Sequence, residues 1–126
     1  MTELRQRVLL VEDEALVAML LEDMLDELGL SVVAVAADLQ SGLLAATADG
    51  IDLAVLDINL GGNSQSFPIA DRLKQREVPV LFVTGHDRSV LTEIHRDAAV
   101  LQKPFRPEDL RIAIAKAISM GARRPD

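Results

Sequence analysis

Short apolar runs recur along the chain and alternate with longer segments that have helical spacing. The runs are residues 8–11, 32–35, 53–56, 80–83 and 98–101. Each run is continuous rather than alternating, which is typical of strands that are covered on both faces of a parallel sheet. Because right-handed crossovers place helices on both sides of such a sheet, we predict a three-layer α/β sandwich with five strands.

The intervening segments predict five helices, and the first is the clearest because its apolar residues form one stripe that stops at Gly29. That stripe is Val17, Leu20, Leu21, Met24 and Leu28. The second helix is predicted to run from a cap at Asp38 to about residue 48. The third begins at Pro68 and carries Ile69 and Leu73 toward the core.

The last two predicted helices differ in how strongly they are patterned. The fourth, residues 89–96, is weakly patterned, whereas the last begins at Pro107 and has acidic residues in its first turn. The apolar side of the last helix is Leu110, Ala113, Ile114, Ala117 and Ile118. We expect one domain over residues 1–120 and a polar tail over residues 121–126.

The composition narrows the function classes. Of the 126 residues, 49% are hydrophobic and 26% are charged, which is a globular balance rather than a disordered one. The formal net charge of -7 disfavours nucleic acid and anionic lipid as partners. The chain has no cysteine, and residues 8–11 are too short a run for a signal peptide or a membrane span. We expect a soluble, cytoplasmic protein.

Reactive side chains follow four of the five predicted strands. Glu12 and Asp13 follow the first strand and Asp57 the third, while Thr84 follows the fourth and Lys103 the fifth. In open parallel sheets the chemistry gathers beyond the carboxyl ends of the strands, so these groups should meet. Carboxylates ~4 Å apart repel by roughly 4 kcal/mol per pair at an effective dielectric of about 20 and need a cation. An all-oxygen set suits Mg²⁺ or Mn²⁺.

Each of these residues also has an ordinary structural interpretation. An acidic pair after a strand often only caps the next helix, and the segment that begins at Asp57 has the composition of a turn. Thr84 beside Gly85 is consistent with a simple loop, and Lys103 with a solvated surface lysine. Their joint occurrence favours phosphoryl transfer, in which Asp57 attacks phosphorus, Lys103 and the cation neutralise charge, and Thr84 donates a hydrogen bond. Gly85 would let a main-chain N–H approach.

The strand ends carry motifs that closely resemble the receiver domains of response regulators. The motifs are VLLVEDE at 8–14, LAVLDINL at 53–60, VLFVTG at 80–85 and QKPF at 102–105. The resemblance covers nearly the whole chain and implies a flavodoxin-like (βα)5 fold with strand order 2-1-3-4-5. It implies that Asp57 is the phosphoacceptor. It also implies that Asp13 and Asp57 ligate Mg²⁺ directly, that Glu12 supports the ion through water, and that Asn59 offers its main-chain carbonyl.

The same resemblance implies that Thr84, Lys103 and the main-chain N–H of Gly85 contact the phosphoryl oxygens. The peptide bond between Lys103 and Pro104 is expected to be cis, an uncommon isomer. Receivers that switch through an aromatic side chain carry it three positions before the lysine, where this chain has Val100. The usual aromatic rotation therefore cannot be the readout in this chain.

Two other segments depart from the common receiver pattern. The Met-Pro that often follows the phosphoacceptor is replaced by Leu60 and Gly61, in a glycine-rich loop that we expect to be mobile. Residues 79–85 resemble the atypical receivers nicknamed FAT GUY, although Val83 stands in place of an alanine. We hypothesise that capture of phosphate orders the region of the predicted fourth helix.

The two histidines and the last helix suggest surface roles. His95 is expected to face solvent and His86 to lie in a loop beside the site, and neither is expected to bind a metal. Ile112 and Ala115 lie off the apolar side of the last helix. The surface formed by the predicted fourth helix, the fifth strand and the last helix is therefore a candidate face for a partner or a weak dimer. The alternative is scattered surface hydrophobicity.

Other functions of similar folds fit less well. A phosphatase of the haloacid-dehalogenase type needs a second aspartate two residues after its nucleophile, where this chain has Asn59. A flavodoxin-like electron carrier is disfavoured by the 2% aromatic content, and a dinucleotide fold by the absence of Gly-x-Gly-x-x-Gly after a strand. We expect no enzyme activity beyond self-phosphorylation and slow autodephosphorylation.

The resemblance implies a histidine kinase or a histidine phosphotransfer protein as the phosphoryl donor. Because the chain ends soon after the last predicted helix, we expect a stand-alone receiver that signals by docking to an unknown downstream protein. Two alternatives stay open: an interaction module that works without phosphorylation, and a phosphate sink.

Overall fold

The computed structural model describes residues 5–85, 91, 95 and 97–122. The strands are β1 (Arg7–Val11), β2 (Ser31–Ala36), β3 (Leu53–Asp57), β4 (Val80–Thr84) and β5 (Ala99–Gln102). The helices in this part of the chain are α1 (Ala15–Glu27), α2 (Leu39–Ala45), α3 (Phe67–Gln75) and α4 (Pro107–Ala122). All neighbouring strands pair in parallel, in the order β2-β1-β3-β4-β5. The predicted flavodoxin-like sheet is confirmed.

Two apolar clusters cover the two faces of the sheet, because successive side chains of a strand point to opposite faces. On one face, Leu10 of β1 shares a buried cluster with Leu25 of α1 and Leu110 of α4. On the other face, Leu9 shares a cluster with Ile69 of α3. Strands β1, β3 and β4 are buried on both faces, except at the first residue of β1 and of β4, which explains their continuous apolar runs.

Strand β2 is not covered on both faces, and the prediction that all five strands are covered is wrong here. Val33 and Val35 are 37% and 47% exposed. The strand lies at the edge of the sheet and pairs only with β1, and its register shifts where Val8 and Leu9 face Val32 and Ala34. A bulge at an edge strand turns side chains away from the core.

Helix α1 buries a slightly different stripe from the one predicted. Leu20 is 53% exposed, while Leu25, which was not in the predicted stripe, is fully buried with Ala18 and Leu21. Successive residues of a helix are about 100° apart around its axis. The buried face is therefore centred on Leu21, and Leu20 lies at its border. The stop at Gly29 is confirmed, with a φ of 88°.

For the remaining helices, the sequence predicted the buried side more accurately than the residues at which each helix ends. Asp38 caps α2 as predicted, accepting from the Ser41 N–H at 2.7 Å, but the helix ends at Ala45. The apolar side of α4 is confirmed, and that helix also includes Gly121 and Ala122, which the sequence assigned to the tail. The predicted fourth helix, apart from Leu91 and His95, lies outside the described residues. None of the helices in the part of the chain that the structure describes is long and apolar enough to span a membrane.

Candidate functional site

The ends of β1 and β3 bring three carboxylates together. Glu12 and Asp13 follow β1, and Asp57 is the last residue of β3, the neighbouring parallel strand. One carboxylate oxygen from each residue lies within 4.8 Å of the other two. Glu12 and Asp57 are buried, whereas Asp13 is exposed. Three hard oxygen donors at this spacing fit a cation such as Mg²⁺ with part of its shell left to other ligands.

A single ammonium group reaches this cluster from the end of β5. The Lys103 Nζ lies 3.3 Å from Oε1 of Glu12 and 3.4 Å from Oδ2 of Asp57. The main-chain N–H of Lys103 donates to the Thr84 carbonyl at 2.7 Å, which ties the start of this loop to the end of β4. The expected cis peptide bond between Lys103 and Pro104 is confirmed.

Burial dominates the electrostatics of the cluster. It raises the pKa of Glu12 from 4.5 to about 7, with the Asp57 charge adding to the rise, while the Glu14 N–H and Lys103 oppose it. Burial also raises the pKa of Asp57, although Lys103 works against that rise. Burial lowers the pKa of Lys103, but the charges of Asp57 and Glu12 outweigh it and the net change is upward. The charge of the Lys103 ammonium therefore does not offset the effect of burial on the two carboxylates.

Glu12 also carries out the ordinary structural task that the sequence left open. Its Oε2 accepts from the main-chain N–H of Glu14 at 3.0 Å, just before α1 begins. The side chain of Glu14, at the N-cap position itself, makes no capping bond. One carboxylate thus supports the start of α1 with one oxygen and faces Lys103 with the other.

The other predicted site residues lie around this cluster. Thr84 is fully buried at the end of β4, where Asp57 pairs with the preceding residue, Val83. Asn59 is exposed, and its main chain forms an isolated antiparallel bridge with Gln65. At Gly85, a Cβ atom would meet no atom of the residues that the structure describes within 4 Å. The main chain there is open to an approaching group.

The sequence did not identify Gly61 as a close neighbour of the acidic cluster. Its φ is 86°, and a Cβ atom there would lie 3.4 Å from Oδ2 of Asp13. Hydrogen bonds between the main chains of Leu60 and Ser64, and of Ser64 and Gly61, close the loop. The sequence predicted that this glycine lies in a turn, but it gave no sign that the loop packs against Asp13.

His95 is not where the sequence placed it, while His86 lies outside the described residues. The expectation that His95 faces solvent is wrong, because its side chain is only 6% exposed and its Nε2 lies 2.7 Å from Oδ1 of Asp71. The ring packs against Phe67 and Phe82. The weak apolar pattern of residues 89–96 gave no signal for this contact, since the polar partner comes from α3.

Comparison with known proteins agrees with this geometry. A family model described as the response regulator receiver domain matches residues 8–115. The chain is 34% identical to the phyllosphere-induced regulator PhyR of Methylorubrum extorquens, over 92% of this chain and 45% of that protein. It is 35% identical to the transcriptional regulatory protein PdtaR of Mycobacterium tuberculosis, over 90% of this chain and 57% of that protein. It therefore spans about half the length of these curated relatives.

A solved structure shows the same similarity in three dimensions. SdrG from Sphingomonas melonis Fr1 superposes on this chain with a TM-score of 0.80 at 38% sequence identity. The match covers 90% of this chain and 97% of that structure. The likeness therefore extends over nearly the whole of both chains.

Proposed function

The chain belongs to the family of response regulator receiver domains, and on that premise we propose that Asp57 accepts a phosphoryl group in two-component signalling. The donor would be a phosphohistidine of a histidine kinase or of a histidine phosphotransfer protein. The observation that carries this proposal is the convergence at one sheet edge. A buried carboxylate, Asp57, lies 3.4 Å from the Lys103 ammonium and beside two further carboxylates.

In the proposed step, a carboxylate oxygen of Asp57 forms a bond to phosphorus as the bond between phosphorus and the donor imidazole breaks. The electron pair of the broken bond returns to the imidazole nitrogen. Lys103 stays beside the new acyl phosphate and balances its charge, and Thr84 and the Gly85 N–H donate to its oxygens. Because Lys103 already contacts Asp57, little rearrangement of this group is needed.

A divalent cation would complete the site. Asp13 and Asp57 would hold Mg²⁺, or Mn²⁺ in its place, with support from Glu12 and the Asn59 carbonyl, and the ion would supply positive charge against the phosphoryl oxygens. The donor set supports this choice, since all the side-chain groups are hard oxygen ligands.

The proposed output is docking to another protein in the cytoplasm rather than turnover of a substrate. Chemistry at the site would be limited to self-phosphorylation and slow autodephosphorylation. The surface that includes β5 and α4, with Ile112 53% exposed, is the proposed partner or weak-dimer face.

Mass spectrometry after incubation with acetyl phosphate tests the assignment. With Mg²⁺, we expect the wild-type chain to gain the mass of one phosphoryl group, and Asp57→Asn to gain none. Asp23→Asn, which alters an exposed aspartate of α1, is the matched control and should label like the wild type. An adduct of unchanged yield in Asp57→Asn would reject Asp57 as the acceptor.

A second measurement separates a messenger from a phosphate sink or a module that ignores phosphorylation. Binding of a candidate downstream protein is compared with and without beryllofluoride, a phosphoryl analogue, in the presence of Mg²⁺. A messenger should bind its partner more tightly with the analogue, and the gain should vanish in Asp57→Asn. Equal affinity in all samples would favour the phosphorylation-independent module.

A further inference from the structure

A buried aromatic group lies next to the strand that carries Thr84, and the chemistry proposed above does not use it. The His95 ring stacks on Phe67 with 5.6 Å between ring centroids and 14° between planes, and it meets Phe82 edge-on at 5.4 Å. Phe67 and Phe82 also meet each other, at 5.4 Å. Oδ1 of Asp71 lies 2.7 Å from His95 Nε2. These three rings and Asp71 are called the His95 cluster below.

The His95 cluster joins three parts of the fold. Phe67 and Asp71 belong to α3, Phe82 belongs to β4, and His95 lies in the connection between β4 and β5. The three rings are almost closed to solvent, with His95 6%, Phe67 7% and Phe82 0% exposed, whereas the side chain of Asp71 is 48% exposed. A buried imidazole needs a polar partner, so the contact with Asp71 fixes the orientation of the ring as well as its position.

Phe82 connects this cluster to the candidate site. It precedes Thr84 by two residues in β4, so both side chains lie on the same face of the sheet. Between them is Val83, which pairs with Asp57 in the neighbouring strand. Phe82 itself pairs with Val100 in β5, where the chain has no aromatic ring of its own. His95 therefore supplies the ring that packs on this part of β4.

We propose that His95 is a positioning residue for the phosphoryl chemistry at Asp57. By holding Phe82 against Phe67 and α3, the ring fixes the end of β4 and with it the place at which Thr84 presents its hydroxyl. Closely packed interiors transmit small displacements, so loss of the ring shifts the end of the strand rather than only opening a space. This inference rests on the proposed function, because the group that is positioned acts on the phosphoryl oxygens.

The test separates two affinities of the folded protein: that for Mg²⁺ alone and that for beryllofluoride in saturating Mg²⁺. By the proposed function, Mg²⁺ would be held by the acidic cluster at the ends of β1 and β3, whereas the analogue would also need Thr84. We expect His95→Ala to weaken analogue binding by about tenfold and to leave the affinity for Mg²⁺ within about twofold. Asp71→Asn keeps an acceptor oxygen for the ring and should bind the analogue like the wild type.

Two controls make the result specific. Leu25→Ala opens a cavity on the opposite face of the sheet and should destabilise the fold without changing either affinity. In a Thr84→Ala background, His95→Ala should cause no further loss of analogue binding, because the effect acts through Thr84. If His95→Ala does not fold, His95→Leu keeps an apolar side chain without the ring and should still lose analogue affinity.

Several results would overturn the inference. One is wild-type analogue affinity in folded His95→Ala, or in folded His95→Leu where the alanine variant does not fold. A second is that His95→Ala weakens the binding of Mg²⁺ and of the analogue equally and that Leu25→Ala does the same. A third is that His95→Ala weakens analogue binding in the Thr84→Ala background as much as it does in the wild type. If the wild type binds Mg²⁺ but no analogue and takes up no phosphoryl group, the proposed function fails and this inference fails with it.

Discussion

Glu12 allows a direct test of the charge balance in the acidic cluster. Burial beside Asp57 raises its pKa from 4.5 to about 7 in the folded protein, whereas the unfolded chain has the ordinary value. Between these two values the folded protein holds a proton that the unfolded chain releases. The free energy of unfolding of the metal-free protein must therefore fall as pH rises through this window. At about 1.4 kcal/mol per pH unit, the loss is on the order of 3 kcal/mol.

Glu12→Gln removes this titration while keeping the shape of the side chain and an oxygen that can accept from the Glu14 N–H. Urea unfolding in the presence of EDTA, at several pH values between 5 and 8, measures the effect. We expect the wild type to lose stability across this range and the variant to lose much less. The raised pKa of Asp57 adds a slope of the same sign. Because Glu12 and Asp57 affect each other's pKa, the difference between the two curves reports Glu12 together with its effect on Asp57.

Saturating Mg²⁺ should oppose the loss of stability that the metal-free wild type shows as pH rises. If Mg²⁺ binds the ionised carboxylates as proposed, it stabilises the folded state. The gain grows with the logarithm of the Mg²⁺ concentration divided by the dissociation constant and is about 3 kcal/mol at a hundredfold excess. The wild type should then gain more from Mg²⁺ at pH 8 than at pH 5. Parallel curves for the wild type and Glu12→Gln, with or without Mg²⁺, would show that Glu12 does not titrate in this window.

Three further substitutions test other parts of the structure. Arg5→Ala removes hydrogen bonds of 2.8 to 3.1 Å to three main-chain carbonyls, that of Asp26 at the end of α1 and those of Gly29 and Leu30 in the turn that follows. The loss should cost about 1 kcal/mol in urea unfolding, which Arg5→Lys does not restore. Gly42→Ala places a Cβ atom against Cδ1 of Ile69, and a net loss of about 1 kcal/mol is expected, relieved by Ile69→Val. Lys103→Met should raise the affinity for Mg²⁺ by about tenfold, measured calorimetrically, while slowing labelling by acetyl phosphate.

The sequence predicted the sheet well because its central strands are buried on both faces and so appear as unbroken apolar runs. It was less accurate where burial is partial. The apolar run of β2 does not distinguish an edge strand from a central one, although Val33 and Val35 are half exposed in the structure. In α1, Leu20 and Leu25 have the same hydrophobicity, and only the packing against the sheet decides which of them faces the core.

The acidic cluster could be predicted for a topological reason. Parallel neighbouring strands end at one edge, so residues that are far apart in the sequence, such as Asp13 and Asp57, must be near each other once the strand order is known. The contact between His95 and Asp71 follows no such rule. It joins a weakly patterned connection to the exposed side of α3, and single residues of that kind leave no periodicity in the sequence.

The distribution of burial within the acidic cluster bears on how the site balances its charge. One ammonium, on Lys103, cannot neutralise three carboxylates, and it contacts the two buried ones, Glu12 and Asp57. Asp13 is left exposed, so water rather than the protein stabilises its charge. A cation that binds Asp13 and Asp57 would replace that water, and its positive charge would lower the pKa of Glu12 against the effect of burial. Cation binding should therefore release up to one proton per site, with the largest release below the pKa of about 7 that Glu12 has without the metal.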